Sequence, residues 1–328
     1  MISVVIPAYN AEGTLGKCLQ AIRQSTFQNY ELIVVDDGST DKTREIALRY
    51  ADRIVQFDEN MGLPMSRKVG LNAASGEIAV NVDSDILIKA DTLEKIADYF
   101  KANKDINALT GLLSRDHPNV NYLSQYKNLY MNYIFSKLPE KVFFIYGSIF
   151  AIRKGLVKQY QSNAAITDDT EFGQQLVAAG EEIAFLRDLE VTHLKKYTFS
   201  SWVKNDFLIP YEWTTIFLKG KGWTQLGKNR VGFAHAPKEQ LLSVMLAPSL
   251  VLLALINTLV TVPGALFGVL FAIWFLSNLK FCLFLTRERG VKFGLIKAVP
   301  VTYLDHLVMA AGIKWGIAAY LLKHRMKS

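Results

Sequence analysis

The sequence predicts an α/β protein: a mainly parallel sheet covered by helices, followed by α-helices that lie along and cross a bilayer. Three observations predict it. Short apolar runs alternate with helical patterns over residues 1–100. Between Gln240 and Leu285, Lys280 is the one charged residue. Basic residues then flank the apolar segments, as Arg287, Arg289, Lys292 and Lys297, and again as Lys323, Arg325 and Lys327.

The α/β part reads element by element. Ile2 to Ile6 is a buried-strand run closed by Pro7, with no signal-peptide pattern before it. Thr14 to Arg23 has helical spacing, with Leu15, Cys18, Leu19 and Ile22 on one face. Strands follow at Glu31 to Val35, Ile54 to Phe57 and Ile78 to Val82; helices follow at Asp41 to Tyr50, Leu63 to Ala74 and Asp91 to Phe100. Asp91 and Glu94 have the spacing of a capping box. Repeated strand–helix units imply a parallel sheet covered on both faces, with the loops after the strands gathered at one edge. Further on, Phe143 to Ile152 reads as a strand, Thr170 to Ala179 as a helix, and Ile183 to Leu186 and Glu190 to His193 as two short strands.

The rest of the chain belongs to a membrane. A bilayer core needs about 20 apolar residues per spanning helix. Segments 240–262 and 264–285 supply two crossings, joined by the uncharged turn Pro263-Gly264. Segment 298–322 is a third candidate that carries Asp305, His306 and Lys314. A single third crossing would place the basic tail opposite the globular part, against the positive-inside rule. Crossing, re-entry and interfacial placement therefore stay open for it. Tyr197 to Gly222, rich in Trp, Tyr, Phe and Lys, reads as interfacial. Tyr122 to Phe144 is equally crowded with aromatics and could help form a groove. The expected organisation is a globular domain at 1–196, an interfacial segment at 197–238 and a transmembrane region at 239–328.

The formal charge of +7 admits nucleic acid, an anionic surface or an anionic substrate. The basic residues track the apolar segments instead of forming an aromatic-lined stripe, which excludes a nucleic-acid binder. The two cysteines, Cys18 and Cys282, have neither disulfide-like contexts nor metal-type spacing. Both features fit a multi-pass protein of a plasma or inner membrane with its globular domain in the cytosol.

Three acidic clusters carry the candidate chemistry. Asp36-Asp37-Gly38-Ser39 ends the second strand, although Asp-Gly-Ser is also ordinary turn chemistry. Asp83-Ser84-Asp85 places two carboxylates two residues apart, on one face if the segment is extended. Mg²⁺ and Mn²⁺ take such oxygens and share themselves with substrate phosphates; a solvated turn is the plainer reading. Thr167-Asp168-Asp169-Thr170-Glu171 opens a helix. Asp168 and Glu171 have capping-box spacing, so a cap role for Asp168 stays open, with Asp169 at the first helical position. The positive helix end there should lower the Asp169 pKa.

In this order and spacing, these clusters resemble family 2 glycosyltransferases of the GT-A, Rossmann-like type. The resemblance rests on Val4-Val5-Ile6-Pro7-Ala8-Tyr9-Asn10, Val35 to Asp41, Gly62-Leu63-Pro64-Met65-Ser66-Arg67-Lys68-Val69-Gly70, Ala74-Ser75-Gly76-Glu77, Asp83-Ser84-Asp85 and Thr167-Asp168-Asp169. It covers residues 1 to about 200; the membrane segments match in architecture only. It implies an inverting, metal-dependent enzyme moving one sugar from a nucleotide-diphosphate donor, most often a UDP-sugar, to a lipid or lipid-linked acceptor. Pro7, Ala8 and Tyr9 would line the nucleotide pocket and Asp37 would bind the base. Arg67 would face the nucleotide or its phosphates. Asp83 and Ser84 would meet the ribose and sugar, and Asp85 would hold Mn²⁺ or Mg²⁺. Asp169 would be the general base, with Gly147, Ser148 and Asp168 on the acceptor side. His193 stands where membrane-linked members often carry a histidine, as a metal ligand or simply as a hydrogen-bonded residue.

Two departures narrow this. The Gln-x-x-Arg-Trp motif of processive synthases is absent, which favours a single addition. Asp83-Ser84-Asp85-Ile86-Leu87 differs from the Asp-Ala-Asp-Leu-Gln of polyprenyl-phosphate sugar synthases, which weakens that alternative without removing it. A nucleotidyltransferase would want a Gly- and Lys-rich phosphate loop, which Pro7-Ala8-Tyr9-Asn10 is not. A non-catalytic membrane scaffold is opposed by the intact acidic residues.

Overall fold

The computed structural model describes residues 1–162, 164–219 and 238–325. The chain divides into two compact units, Met1–Val120 with Phe135–Lys196, and Asn121–Ile134 with Tyr197–Ser328. Most of the segment expected to be interfacial after Lys219 lies outside the described residues.

The first unit is a sheet in the order β3-β2-β1-β4-β8-β6-β9-β5, with β7 on β9. Strands β1 (Ile2–Ala8), β2 (Tyr30–Asp36), β3 (Arg53–Gln56) and β4 (Ile78–Val82) pair in parallel. Helices α1 (Leu15–Arg23), α2 (Thr43–Tyr50), α3 (Leu63–Ala73) and α4 (Thr92–Ala102) alternate with them as the periodicity predicts. All seven β1 residues are buried, as a strand flanked on both edges and covered on both faces must be. Leu15, Cys18, Leu19 and Ile22 of α1 are buried; each buried leucine or isoleucine contributes about 1.5–3 kcal/mol relative to exposure.

The second half of the sheet departs from the sequence reading. β8 (Ile149–Arg153) is antiparallel to both β4 and β6 (Ala108–Leu113). The expected strand over 143–152 therefore starts only at Ile149; residues 143–148 lie outside it, after the short β7 (Lys141–Val142). β9 (Ile183–His193) is one strand where two were expected, with a register shift opposite Thr110 and Leu112 of β6 that hid its continuity. β5 (Ile86–Leu87) pairs only with the end of β9 and is too short to announce itself. The Asp91–Glu94 capping box does not form. Asp91 pairs with Lys95 at 2.9 Å, and Glu94 accepts from the Thr26 hydroxyl.

The second unit is helical: α5 (Tyr122–Phe135), α7 (Phe199–Lys219), α8 (Lys238–Ile256), α9 (Gly264–Arg289) and α10 (Ala298–Arg325). α10 continues from a π-helical turn at Lys292–Lys297. Glu239–Ile256, Gly264–Arg289 and Lys292–Lys323 are each long and apolar enough to cross a membrane. α7 lies along α10 because glycine lets the backbones touch. A Cβ on Gly312 would meet the Phe207 carbonyl oxygen, and one on Gly316 would sit 2.8 Å from that of Tyr211. Small residues four apart serve this close packing between apolar helices. The α5 tyrosines pack on the same unit's aromatics, with Tyr122 on Phe293 and Tyr130 and Tyr133 on Phe281.

Candidate active site

The sheet brings the acidic clusters to one edge. The parallel register sets Ala8 opposite Asp36, and the Asp37 N–H donates to the Ala8 carbonyl at 2.9 Å. Pro7 and Ala8 are buried at the strand end, and Tyr9 stands 48% exposed beyond them. Asp37 is buried, with its carboxylate oxygens accepting from the N–H groups of Met61 and Gly62 at 2.7 and 3.0 Å. It thus clamps the loop that leads into α3.

That loop delivers Arg67, the residue expected to face the nucleotide or its phosphates, which is 2% exposed and turned into carboxylates. Its Nη1 donates to both Asp168 oxygens at 2.8 Å, and its Nη2 to Asp83 at 2.7 Å. A buried guanidinium needs such partners, because an unpaired charge there is costly. Asp168 stands first in α6 (Asp168–Ala178) and does not close a capping box: it takes Arg67 and the Tyr160 hydroxyl, while Glu171 accepts from Ser162 and Ala164.

Asp169 is therefore the second helical residue. Its oxygens accept from the backbone N–H of Gly147 and of Thr170, each at 2.6 Å. Gly147 leaves room for the two side chains that crowd it. A Cβ would lie 2.6 Å from Arg67 Nη2 and 2.8 Å from Asp169 Oδ2. Asn81 fixes that backbone by donating to the Gly147 carbonyl at 2.8 Å, and Ser148 accepts the Asp83 N–H. Burial raises the Asp169 carboxyl most, and the Asp168 charge raises it further. Arg67 and the two N–H groups oppose them, and the pKa is pushed up to about 7. The helix end alone would have moved it down; desolvation and a neighbouring anion win.

Asp83-Ser84-Asp85 is a turn between β4 and β5, with the Ile86 N–H on the Asp83 carbonyl, so its two carboxylates separate instead of sharing one face. Asp83 meets Arg67. Asp85 meets His193, Oδ2 to Nε2 at 3.1 Å, because β5 pairs Ile86 with His193. Burial raises the Asp85 carboxyl, but the His193 charge and hydrogen bond, helped by Lys195, hold it below the ordinary carboxylate range. Ser84, half-buried, lies between them. A carboxylate oxygen and an imidazole nitrogen this close could hold one divalent cation between them, the carboxylate being the donor type that Mn²⁺ and Mg²⁺ take. Among the described residues no third such side chain joins them. An ion held there would complete its shell with substrate phosphates, as these cations commonly do.

Tyr160 and Tyr146 belong to this site yet fall in none of the expected motifs, and Asn81, which opens the stretch that carries Asp83 and Asp85, had been given no role. Asn81 acts through Gly147, 66 positions away, and Tyr160 reaches Asp168 across an intervening loop, neither of which spacing reveals.

Residues 3–161 match the family model described as Glycosyl transferase family 2. Glycosyltransferase GlyA of Streptococcus pneumoniae serotype 4 is 42% identical over 106 residues, which are 30% of this chain and 15% of that protein. The UDP-Glc:α-D-GlcNAc-diphosphoundecaprenol β-1,3-glucosyltransferase WfgD of Escherichia coli is 34% identical over 97 residues, 29% of this chain and 38% of that protein. The chain thus spans well under two thirds of either relative. The mannosyltransferase PcManGT from Pyrobaculum calidifontis, solved with GDP-Man and Mn²⁺, superimposes with a TM-score of 0.58 at 16% identity, over 98% of this chain and 86% of its own. Residues 1–349 of S. aureus TarS, solved with UDP-GlcNAc, give 0.50 at 18% identity over 96% and 92%. At those identities the likeness is one of fold. Residues 3–161, which lie within a mainly parallel GT-A sheet and are followed by apolar C-terminal helices, form a glycosyltransferase family 2 domain.

Proposed function

We propose that this protein is an inverting glycosyltransferase that moves one sugar from a nucleotide-diphosphate donor, a UDP-sugar, to a lipid or lipid-linked saccharide at the cytosolic face of a membrane. The observation that carries the reading is Asp169: a carboxylate held by two N–H donors, titrating near neutrality, and joined through Asp168 and Arg67 to Asp83. A general base works best with a pKa near the operating pH. Asp169 takes the proton of the acceptor hydroxyl as that oxygen attacks the anomeric carbon. The nucleotide diphosphate departs from the opposite face, which inverts the centre.

The other residues bind and orient. Tyr9 offers an exposed ring for the base to lie on, beside the floor made by Pro7, Ala8 and Asp37. Asp83 and Ser84 face the ribose and sugar. Asp85 and His193 would hold a Mn²⁺ or Mg²⁺ ion, which neutralises the charge developing on the departing diphosphate. Gly147 and Ser148 line the acceptor side. The lipid part of the acceptor rests on the printed activity of WfgD, which uses a diphosphoundecaprenol-linked sugar, and on the three apolar helices. Arg287 and Arg289 close α9 and would keep its end on the cytosolic side. The interfacial role of α7 and a third crossing by α10 belong to the same reading.

The test is nucleotide-diphosphate release by the detergent-extracted protein, across UDP- and GDP-sugars, with Mn²⁺, Mg²⁺ or chelator. Release from one donor, abolished by chelator and by Asp85→Asn or Asp169→Asn, supports the reading. Silence with every donor, even after addition of lipid extract, would sink it.

A further inference from the structure

Tyr160 follows a short 3₁₀ turn (Lys154–Gln159), outside every acidic cluster. It is 1% exposed, its ring lies edge-on to Phe172 at 4.8 Å between centroids, and its hydroxyl donates to Asp168. Asp168 is completely buried and gives its two oxygens to Arg67 as well. Arg67 ends on Asp83, which at 24% side-chain exposure is the member of this chain that reaches the open side. We infer that Tyr160, Asp168 and Arg67 form a buried positioning chain that ties the acceptor-side carboxylate Asp169 to the donor-side carboxylate Asp83, with Tyr160 as its anchor.

The argument is one of charge sharing. One guanidinium serves three carboxylates, those of Asp83, Asp168 and Asp169. Without another donor, Asp168 and Asp169 would compete for it across adjacent positions of α6. The tyrosine hydroxyl supplies that donor. Burial and the Asp168 charge raise the Tyr160 phenol far above its ordinary range, so it stays protonated and always donates. Asp168 is thereby held by Arg67 and Tyr160, and Asp169 is left on the N–H groups of Gly147 and Thr170. The charged and titratable groups that face Asp169 are Asp168 on its own helix, Arg67 from α3, Tyr160, and Tyr146 from the stretch before β8.

The chain makes predictions of opposite sign. Asp168→Asn removes an anion beside Asp169 and frees Arg67 toward it. The pH at which Asp169 ionises falls, by about 1 unit. Tyr160→Phe keeps the ring but leaves the Asp168 charge less neutralised, so Asp169 ionises at higher pH, by a few tenths of a unit (~0.3–0.5). The inference rests on Asp169 as the base, so two readouts are taken on the full-length protein. One is the acid limb of kcat/KM for nucleotide release. The other is the pH dependence of the thermal midpoint, which reports Asp169 without catalysis. Phe172→Leu serves as a packing control that lowers the midpoint and moves neither profile.

Opposite displacements of the stability profile in the two variants support the chain, and matching displacements of the acid limb extend it to catalysis. Profiles for Tyr160→Phe that superimpose on the unsubstituted protein, or displacements of one sign in both variants, overturn it. Opposite stability shifts in a protein that never turns over would uphold the chain and refute the transferase reading instead.

Discussion

Each unit of the molecule buries a basic residue among acids, and the two clusters are put to different uses. In the sheet unit Arg67 meets Asp83, Asp168 and Asp169, and the cluster keeps an open edge, with Asp83 and Asp169 only partly covered. In the helical unit Lys127 of α5 is paired with Asp206 of α7, with Asp305 of α10 alongside, and these are 7%, 1% and 1% exposed. The first cluster has spare negative charge next to solvent, which is what proton transfer needs. The second is sealed and spans three helices, so its effect falls on how those helices assemble. Buried ion pairs are poor evidence of net stability, but losing one partner leaves an uncompensated charge.

The largest expected effect lies in the open cluster. Asp169→Asn should lower kcat by about 10²–10⁴-fold, the usual share of a positioned general base. Its stability should move the other way. An Asp whose folded pKa is raised contributes stability that is complete below its ordinary value of 3.8 and lost as pH rises through about 7. The variant should therefore melt higher than the unsubstituted protein at pH 8 and show no such loss between those limits, as differential calorimetry would reveal. An unchanged profile would mean that Asp169 is not the raised group.

Next comes the sealed cluster. Lys127→Met should destabilise the protein by about 3–5 kcal/mol in detergent while leaving the pH–rate profile of the surviving fraction in place. Adding Asp206→Leu should recover much of that loss. If the single variant moved the pH profile instead, the division of labour between the clusters would be wrong. The smallest effect is the most local. Gly147→Ala pushes a methyl group against Arg67 Nη2 and Asp169 Oδ2 and should reduce kcat by about tenfold, with a change in thermal midpoint of a few degrees at most. Equal activity in this variant would show that the geometry around Asp169 tolerates more movement than a base should.

Most of the parallel half of the sheet was legible from residues alone, because buried runs such as Ile2 to Ile6 and helical faces such as Leu15–Cys18–Leu19–Ile22 are local signals. The site was legible as a set of types: Asp85 was assigned to a metal and His193 to a metal or a structural bond, and the two do meet at 3.1 Å. Their contact depends on β5 pairing with β9, which two residues of strand do not advertise. Arg67 was expected to face the nucleotide or its phosphates. That it turns inward follows from Asp168, 101 positions later, and no spacing rule reaches that far. The raised Asp169 was missed for a related reason: the helix end is visible in sequence, whereas burial and a neighbouring charge are tertiary. Tyr160 gave no signal, being one aromatic among fourteen tyrosines.

The α5 excursion bears on how the protein can be made and cut. The polypeptide leaves the sheet unit after Val120, contributes Asn121–Ile134 to the helical unit, and returns at Phe135 to build β7, β8, α6 and β9. The two units are thus threaded through one another in sequence. On the ribosome, the tyrosines of α5 emerge well before their partners Phe281 and Phe293 have been synthesised. A truncation after Lys196 would leave that aromatic face permanently uncovered, the kind of surface that drives aggregation. A fragment confined to the sheet unit would require joining residues 120 and 135 directly to one another through a polar linker as well as removing everything from Tyr197 onward.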